Sequence, residues 1–317
     1  MNSQDVKNAI SGVLVVDKPV GMTSHDVVEA IRRGSGIRRA GHTGTLDPRA
    51  SGVLVILIGP AVRLSEYVSA SDKRYQAIIR MGSSTDTFDS DGKFVRATQP
   101  VNVTEEQFEQ ILKKFEGEIE QTPPPYSAVK VQGRRAYDMA RQGEEVELAP
   151  RKILVHHLEV LEWAPPEVVV DVHCSSGTYV RSLANDIGNA LGTGAYLVGL
   201  RRTKSGRFSL RDATPLRKLQ ESFQAGNWYQ YLIPAAEALA DWPAVELNPD
   251  DVEEVRHGHR VKAHGEQPEL VRGVSAAGEL IALMIPAVGE DGSAEWQPKK
   301  VFFTSEAKNT PPADTEE

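Results

Sequence analysis

Asp47 stands in the stretch GHTGTLDPRASGVL, residues 41–54, between a polar glycine loop and a run of apolar residues. A carboxylate held ionised in such a place can act as a nucleophile, stabilise a developing cation or orient a neighbouring donor. Local stereochemistry has its own account of the same residues: Asp47 as a helix N-cap, Pro48 at the first helical position where a missing N–H costs nothing, and glycines that permit the turn. A cap does not explain Gly41, His42, Thr43, Gly44 and Thr45, which bring hydrogen-bonding groups and little apolar surface to hold a loop in place. Such a loop is suited to docking something against its backbone.

Other candidate chemistry fails on spacing. The aspartates of TDTFDSDG, residues 85–92, alternate before a glycine as in a calcium loop. Aligning Gly92 with the glycine such a loop requires puts Thr87 at the first ligand position and Thr98 at the twelfth, where Asp and Glu are needed. Asp91-Gly92 is better read as a hairpin turn. His257, His259, His264 and the pair His156-His157 have no Cys or carboxylate at a zinc spacing, so no metal site is expected. The chain has no Walker A loop, no glycine-rich dinucleotide fingerprint and no GxSxG, which argues against ATP, NAD and serine-hydrolase chemistry of those types.

The elements that must position Asp47 follow from periodicity. Residues 12–18 (GVLVVDK) read as a short buried strand closed by the turn Lys18-Pro19-Val20-Gly21, with Thr23 or Ser24 capping a helix over SHDVVEAIRR. Residues 52–58 form a continuous apolar segment, and RYQAIIRMG alternates like a half-exposed strand. Thr104, with Gln107 three residues on, caps a helix EEQFEQILKKFEG, and QTPPPYSAVKVQGRRAYDMARQG adds a proline brake and a second, basic helix. Strands around ILVHHLEVLEW and EVVVDVHCSSG and a helix from Thr178 to Leu191 complete an α+β pattern. The expected domains are an N-terminal extension over 1–9, a main body over 10–244 with an inserted arm at about 100–150, a small β-rich unit over 245–305, and an acidic tail over 306–317. The tail has nothing to pack and is expected to be disordered.

Composition sets outer limits. A chain of 317 residues, 40% hydrophobic and 25% charged, is large enough for one sizeable domain and a smaller one. Its longest apolar run, residues 52–62, falls short of the roughly 20 residues needed to span a bilayer, and no secretory signal is expected. Cys174 is the lone cysteine, which fits a reducing cytoplasm. The net charge of −8 argues against a nucleic-acid partner, yet half of it lies in residues 286–317. Elsewhere Arg201, Arg202, Lys204, Arg207 and Arg211 form a basic stripe without an acid, and Arg32, Arg33, Arg38 and Arg39 form another.

GHTGTLDPRASGVL resembles the catalytic motif of the TruB family of pseudouridine synthases, which make pseudouridine 55 in the T-loop of transfer RNA. Further matching pieces follow in the family's order: GVLVVDKPVGMTSHDVV, KRYQAIIRMGSSTDTFDSDG, QTPPPYSAVKVQGRRAYDMARQG, CSSGTYVRSLANDIG and LRRTKSGRF, together covering roughly residues 12–211. Residues 245–305 are similar to a PUA-type RNA-binding module. The resemblance implies a pseudouridine synthase fold, a mixed and largely antiparallel central sheet with flanking helices. It implies an isomerisation that needs no cofactor, and a stand-alone cytoplasmic monomer acting on the tRNA T-arm without guide RNA, membrane or obligatory protein partner.

The resemblance also assigns roles. Asp47 is the catalytic carboxylate and Arg181, in GTYVR, its partner. Tyr75 stacks on the target base with its hydroxyl near the ribose, and Tyr179 orients Tyr75 or the sugar. Leu200 closes over the uracil, and His42 enters the T-loop. Lys18, Lys130, Arg134, Arg201 and Arg202, with Arg135 and Arg141, are expected to meet the RNA backbone. Two other readings compete with the stand-alone enzyme: the catalytic subunit of a guide-RNA particle, and a tRNA-folding factor that uses the same surface without chemistry.

Overall fold

The computed structural model describes residues 10–96 and 100–302, apart from 128, 132, 137, 138, 140, 141 and 143–147. The expected extension 1–9, the tail 306–317, Arg141 and most of the basic second helix lie outside the described residues.

The chain opens on strand β1 (Gly12–Lys18), helix α1 (Ser24–Ser35), the short β2 (Ala40–His42) and β3 (Ala50–Ile58). Thr23 caps α1 in a full capping box with Asp26, and Gly36 ends it in the left-handed conformation. There follow β4 (Lys73–Met81), the hairpin β5 (Ser84–Thr85) and β6 (Phe94–Arg96), helix α2 (Glu105–Leu112), β7 (Gly117–Gln121), and the hairpin β8 (Lys130–Val131) and β9 (Arg134–Arg135). The long strands β10 (Arg151–Ala164) and β11 (Glu167–Cys174), helix α3 (Val180–Ala190) and β12 (Ala195–Ser205) come next. Short edge pieces β13 (Phe208–Ser209), β14 (Thr214–Pro215) and β15 (Ile233–Pro234) flank helix α4 (Leu216–Ala225).

One large mixed sheet runs β14-β1-β3-β12-β4-β11-β10-β7. The pairings β1–β14 and β3–β12 are parallel, and the others along this path are antiparallel. Strand β3 is buried along nearly its whole length because both faces are covered. Leu54, Ile56 and Ile58 join Leu14, Val16, Val27 and Ile31 on the helical side. Val53, Val55 and Leu57 pack with Val13, Val15, Leu239, Leu283 and Phe302 on the other. Leu283 and Phe302 of that second layer come from the chain's last part, a five-stranded sheet of β16 (Ala244–Leu247), β17 (Val261–Lys262), β18 (Val271–Ser275), β19 (Leu280–Val288) and β20 (Ala294–Val301), with helix α5 (Pro249–Arg256). Arg272 ties it down by donating to the carbonyls of Ala236, Ala240 and Trp242 at 3.1 Å each, and Lys300 pairs with Glu66.

Two expectations change. The insertion is narrower than about 100–150: α2 buries Phe108 and Leu112 in the main core, and β7 is the edge strand against β10, registered Gln121 to Arg151. These residues are part of the body because an amphipathic helix and a strand edge each need a partner, and the main sheet supplies both. The second change is at Asp47. No helix begins there; Pro48 and Arg49 form a turn, the Ala50 N–H donates to the Asp47 carbonyl at 3.0 Å, and the chain enters β3, where Ala50 registers with Leu200 of β12. Strand pairing outweighs the local cap chemistry.

Candidate active site

The loop before Asp47 is held from every side through its backbone. Thr43 N–H donates to the Val55 carbonyl at 3.1 Å. The buried Ser24 hydroxyl both accepts from Leu46 N–H at 2.8 Å and donates to the Leu46 carbonyl at 3.0 Å, which fastens the loop to the start of α1. Arg202, 1% exposed, donates to the carbonyls of Gly44 at 3.1 Å and Val53 at 2.7 Å. Lys18, fully buried, donates to the carbonyls of Pro19 and Met22 and, at 3.4 Å, Pro48. Gly52 permits the close passage of β3 against β12: its φ is +98°, and a Cβ there would lie 2.2 Å from the Arg202 carbonyl oxygen.

This scaffold leaves the Asp47 side chain 46% exposed while fixing its backbone. Arg181, at the start of α3 and 10% exposed, places Nε 3.0 Å from Asp47 Oδ2. The rest of the guanidinium is anchored behind: Nη1 reaches Asp89 Oδ2 at 3.3 Å and the Thr87 carbonyl at 3.4 Å, and Nη2 donates to the Tyr126 carbonyl at 3.1 Å. Phe88, in the left-handed region at φ +63°, turns the β5–β6 loop so that Asp89 meets Arg181. A residue other than glycine held there is strain of the kind that sites retain.

Asp47 and Arg181 open on a cavity of about 290 Å³ lined also by Tyr75, Tyr179, Leu200 and Lys73. Tyr75 projects from β4, beside Arg202 of β12, and burial pushes its hydroxyl pKa up against the opposing pull of the Arg202 guanidinium. Burial, reinforced by the Arg202 charge, lowers Lys73 to about 8. Tyr179 caps α3, and its backbone is clamped by Gln121, which accepts from Tyr179 N–H at 2.8 Å and donates to its carbonyl at 3.1 Å. Leu200 forms the apolar wall between this cavity and the Asp89 loop.

The structure therefore brings together Asp47, Tyr75, Tyr179, Arg181 and Leu200. His42 stands half-buried at the end of β2, its pKa lowered by burial and then by the Arg202 charge, so the neutral imidazole is favoured. Lys18 and Arg202 require correction as RNA-backbone contacts. Both are buried and occupied with carbonyls, because the tight turns around Asp47 leave acceptors that a buried cation satisfies. Burial, opposed by Asp47, also lowers Lys18 to about 8. Arg201 is partly exposed and paired with Asp17 at 2.9 Å. Lys130 and Arg134 belong to the β8–β9 hairpin, where Arg134 is exposed and donates to Gln142 at 2.8 Å. Sequence reasoning missed Asp89, Gln121 and Ser24. Asp89 lies in the aspartate cluster with calcium-like spacing, Ser24 stands out in the sequence only as a candidate helix cap, and Gln121 only as the first residue of QTPPPYSAVK.

The family model for the TruB family pseudouridylate synthase N-terminal domain matches residues 32–180, that for the tRNA pseudouridylate synthase B C-terminal domain matches 181–240, and that for the tRNA pseudouridine synthase II C-terminal region matches 242–303. The chain is 46% identical over 257 residues to tRNA pseudouridine synthase B of Symbiobacterium thermophilum, covering 80% of this chain and 84% of that one. It is 41% identical over 301 residues to the enzyme of the same name from Thiobacillus denitrificans, covering 95% and 99%. Among solved structures, a chain of an H/ACA ribonucleoprotein bound to a substrate RNA containing 2′-deoxyuridine aligns with a TM-score of 0.72 at 28% identity, over 96% of this chain and 88% of that one. A chain of a Cbf5-Nop10-Gar1 complex aligns with a TM-score of 0.72 at 30% identity, over 94% and 87%. The loop that fixes Asp47, the arginine that grips it and the matches along almost the whole chain agree: this protein belongs to the TruB family of pseudouridine synthases.

Proposed function

We propose that the protein isomerises the uridine at position 55 in the T-loop of tRNA to pseudouridine, acting in the cytoplasm as a stand-alone enzyme without guide RNA. The observation that carries this reading is the half-exposed Asp47 carboxylate held by Arg181 at the mouth of a cavity walled by Tyr75 and Leu200. In the reaction the C1′–N1 bond breaks, the uracil turns and a C1′–C5 bond forms. The C5 proton is lost and N1 gains one, so the sum is an isomerisation. Asp47 serves at the glycosidic centre, where a carboxylate oriented by a guanidinium stabilises or captures developing positive charge. Tyr75 and Leu200 sandwich the base, and Tyr179 orients the sugar.

A base in a folded RNA loop must be extruded to reach such a cavity, which costs a few kcal/mol and is offset by stacking in the pocket. His42, beside the loop, takes up space vacated in the T-loop. Arg134 and Lys130 of the hairpin, together with the C-terminal sheet read as a PUA-like unit, extend the contact along the RNA. The identities of 41–46% to proteins named tRNA pseudouridine synthase B, against 28–30% to chains of H/ACA particles, support the guide-independent reading.

The test is pseudouridine mapping in an unmodified tRNA transcript incubated with the purified protein alone, beside Asp47→Asn. Conversion of the T-loop uridine by the wild type and not by the variant is expected. Tight binding without conversion by the wild type would overturn the stand-alone reading.

A further inference from the structure

We infer that Asp72, His156 and His173 form a surface site for one divalent transition cation of the zinc class. The three donor atoms all lie within 4.8 Å of one another, and His156 Nε2 is 3.0 Å from Asp72 Oδ2. The imidazole rings of His156 and His173 stack at 4.6 Å between centroids, tilted by 37°. Zinc bonded to nitrogen and oxygen at about 2.0–2.2 Å in a tetrahedron needs donors roughly 3.3 Å apart, so small side-chain rotations close the set. Two histidines and one carboxylate make a ligand set suited to a cation that takes nitrogen and oxygen together, rather than to calcium or magnesium.

The backbone explains how residues distant in sequence meet. His173 lies in β11, registered with Arg74 of β4 on one side and His157 of β10 on the other. The β10–β11 ladder shifts register between Val155 and His157. His156 is the additional residue at that bulge, and its ring comes over His173. Asp72 precedes β4, and its carbonyl accepts from Gly206 N–H at 2.8 Å, which sets where its side chain starts.

Two of the neighbouring cations are engaged by other groups. Arg74 is committed to Asp171 at 2.7 Å, and Lys73 donates to the carbonyls of Ser69 and Ser71. Asp72 and His173 line a second cavity of about 460 Å³, larger than the one at Asp47, whose walls include Lys204 and Arg207. With three protein ligands, a tetrahedral cation would keep one coordination position for water or an anionic oxygen.

The test needs no RNA chemistry. The full-length protein, stripped of metal, is titrated with zinc chloride by isothermal calorimetry, and cobalt binding is followed by visible absorption. One equivalent is expected in the wild type, and affinity should fall about tenfold or more in His156→Gln, His173→Gln and Asp72→Asn. His157→Ala should bind like the wild type, because His157 is paired with Glu116 instead. Far-UV circular dichroism verifies that each variant is folded. Binding in the wild type no tighter than in the His156→Gln/His173→Gln double variant, or equal weakening by His157→Ala, would overturn the site.

Discussion

Arg181 holds Asp47 through Nε at 3.0 Å while the remainder of its guanidinium is fastened to Asp89 and two backbone carbonyls. The arginine is thus more than a counter-ion. It is a bracket, rigid at the back and presenting one N–H at the front. A planar guanidinium can serve several acceptors at once in this way, which a lysine ammonium cannot do with the same geometry.

Asp89→Asn tests the back of that bracket. The substitution keeps the shape and removes the charge that Arg181 leans on, so single-turnover conversion should slow by roughly tenfold or more, corresponding to a charged hydrogen bond of about 1.5–3 kcal/mol. Affinity for tRNA should stay within a few fold. A normal rate in a quench assay would remove Asp89 from the positioning of Asp47.

For Tyr75, the ring and the hydroxyl separate cleanly. Tyr75→Phe keeps the stacking surface in the cavity, so tRNA binding by filter retention should persist while turnover falls. Near-normal turnover would confine Tyr75 to stacking.

Gly52 and Gly177 both have positive φ, at +98° and +83°, but differ in surroundings. Gly177 has nothing within 4 Å of an added Cβ, so Gly177→Ala bears conformational strain alone, about 1 kcal/mol. Gly52→Ala also forces a Cβ to 2.2 Å from the Arg202 carbonyl oxygen, and should cost ~3 kcal/mol or more. Thermal melts should rank Gly52→Ala well below Gly177→Ala; equal melting temperatures would refute the close β3–β12 passage.

Lys18 gives a pH dependence. Its folded pKa of about 8 lies below the ordinary 10.5, so between these values the unfolded chain binds more protons than the folded one. Stability therefore rises with pH across that window, and the penalty of a buried charged amine is present in full below pH 8. Subtracting the denaturation curve of Lys18→Met, which has no titrating group there, should isolate this rise. A flat difference from pH 8 to 10.5 would contradict the burial of Lys18.

The family resemblance rested on ordered local motifs, and local chemistry was likewise legible in the elements around them. Thr23 and Thr104 announced their helices because a capping box is a contact within four residues. The alternation in RYQAIIRM appears as the buried–exposed alternation of β4 because a strand has two faces. Asp47 could be singled out for the same reason: glycine, proline and hydroxyl residues crowd around it in the chain itself.

What the sequence could not decide are matters of partner and direction. Lys18 in its turn and Arg202 in a basic stripe look like RNA contacts, and only the fold reveals them beneath the loop with their donors engaged by carbonyls. The Asp47 cap was locally sound and lost to pairing with β12, a contact about 150 residues away in sequence. Asp89, Gln121 and the Asp72–His156–His173 cluster depend on register, a left-handed turn and a bulge, none of which a linear spacing records. Residue type states what a side chain can do; burial and long-range pairing decide which of those things it is left free to do.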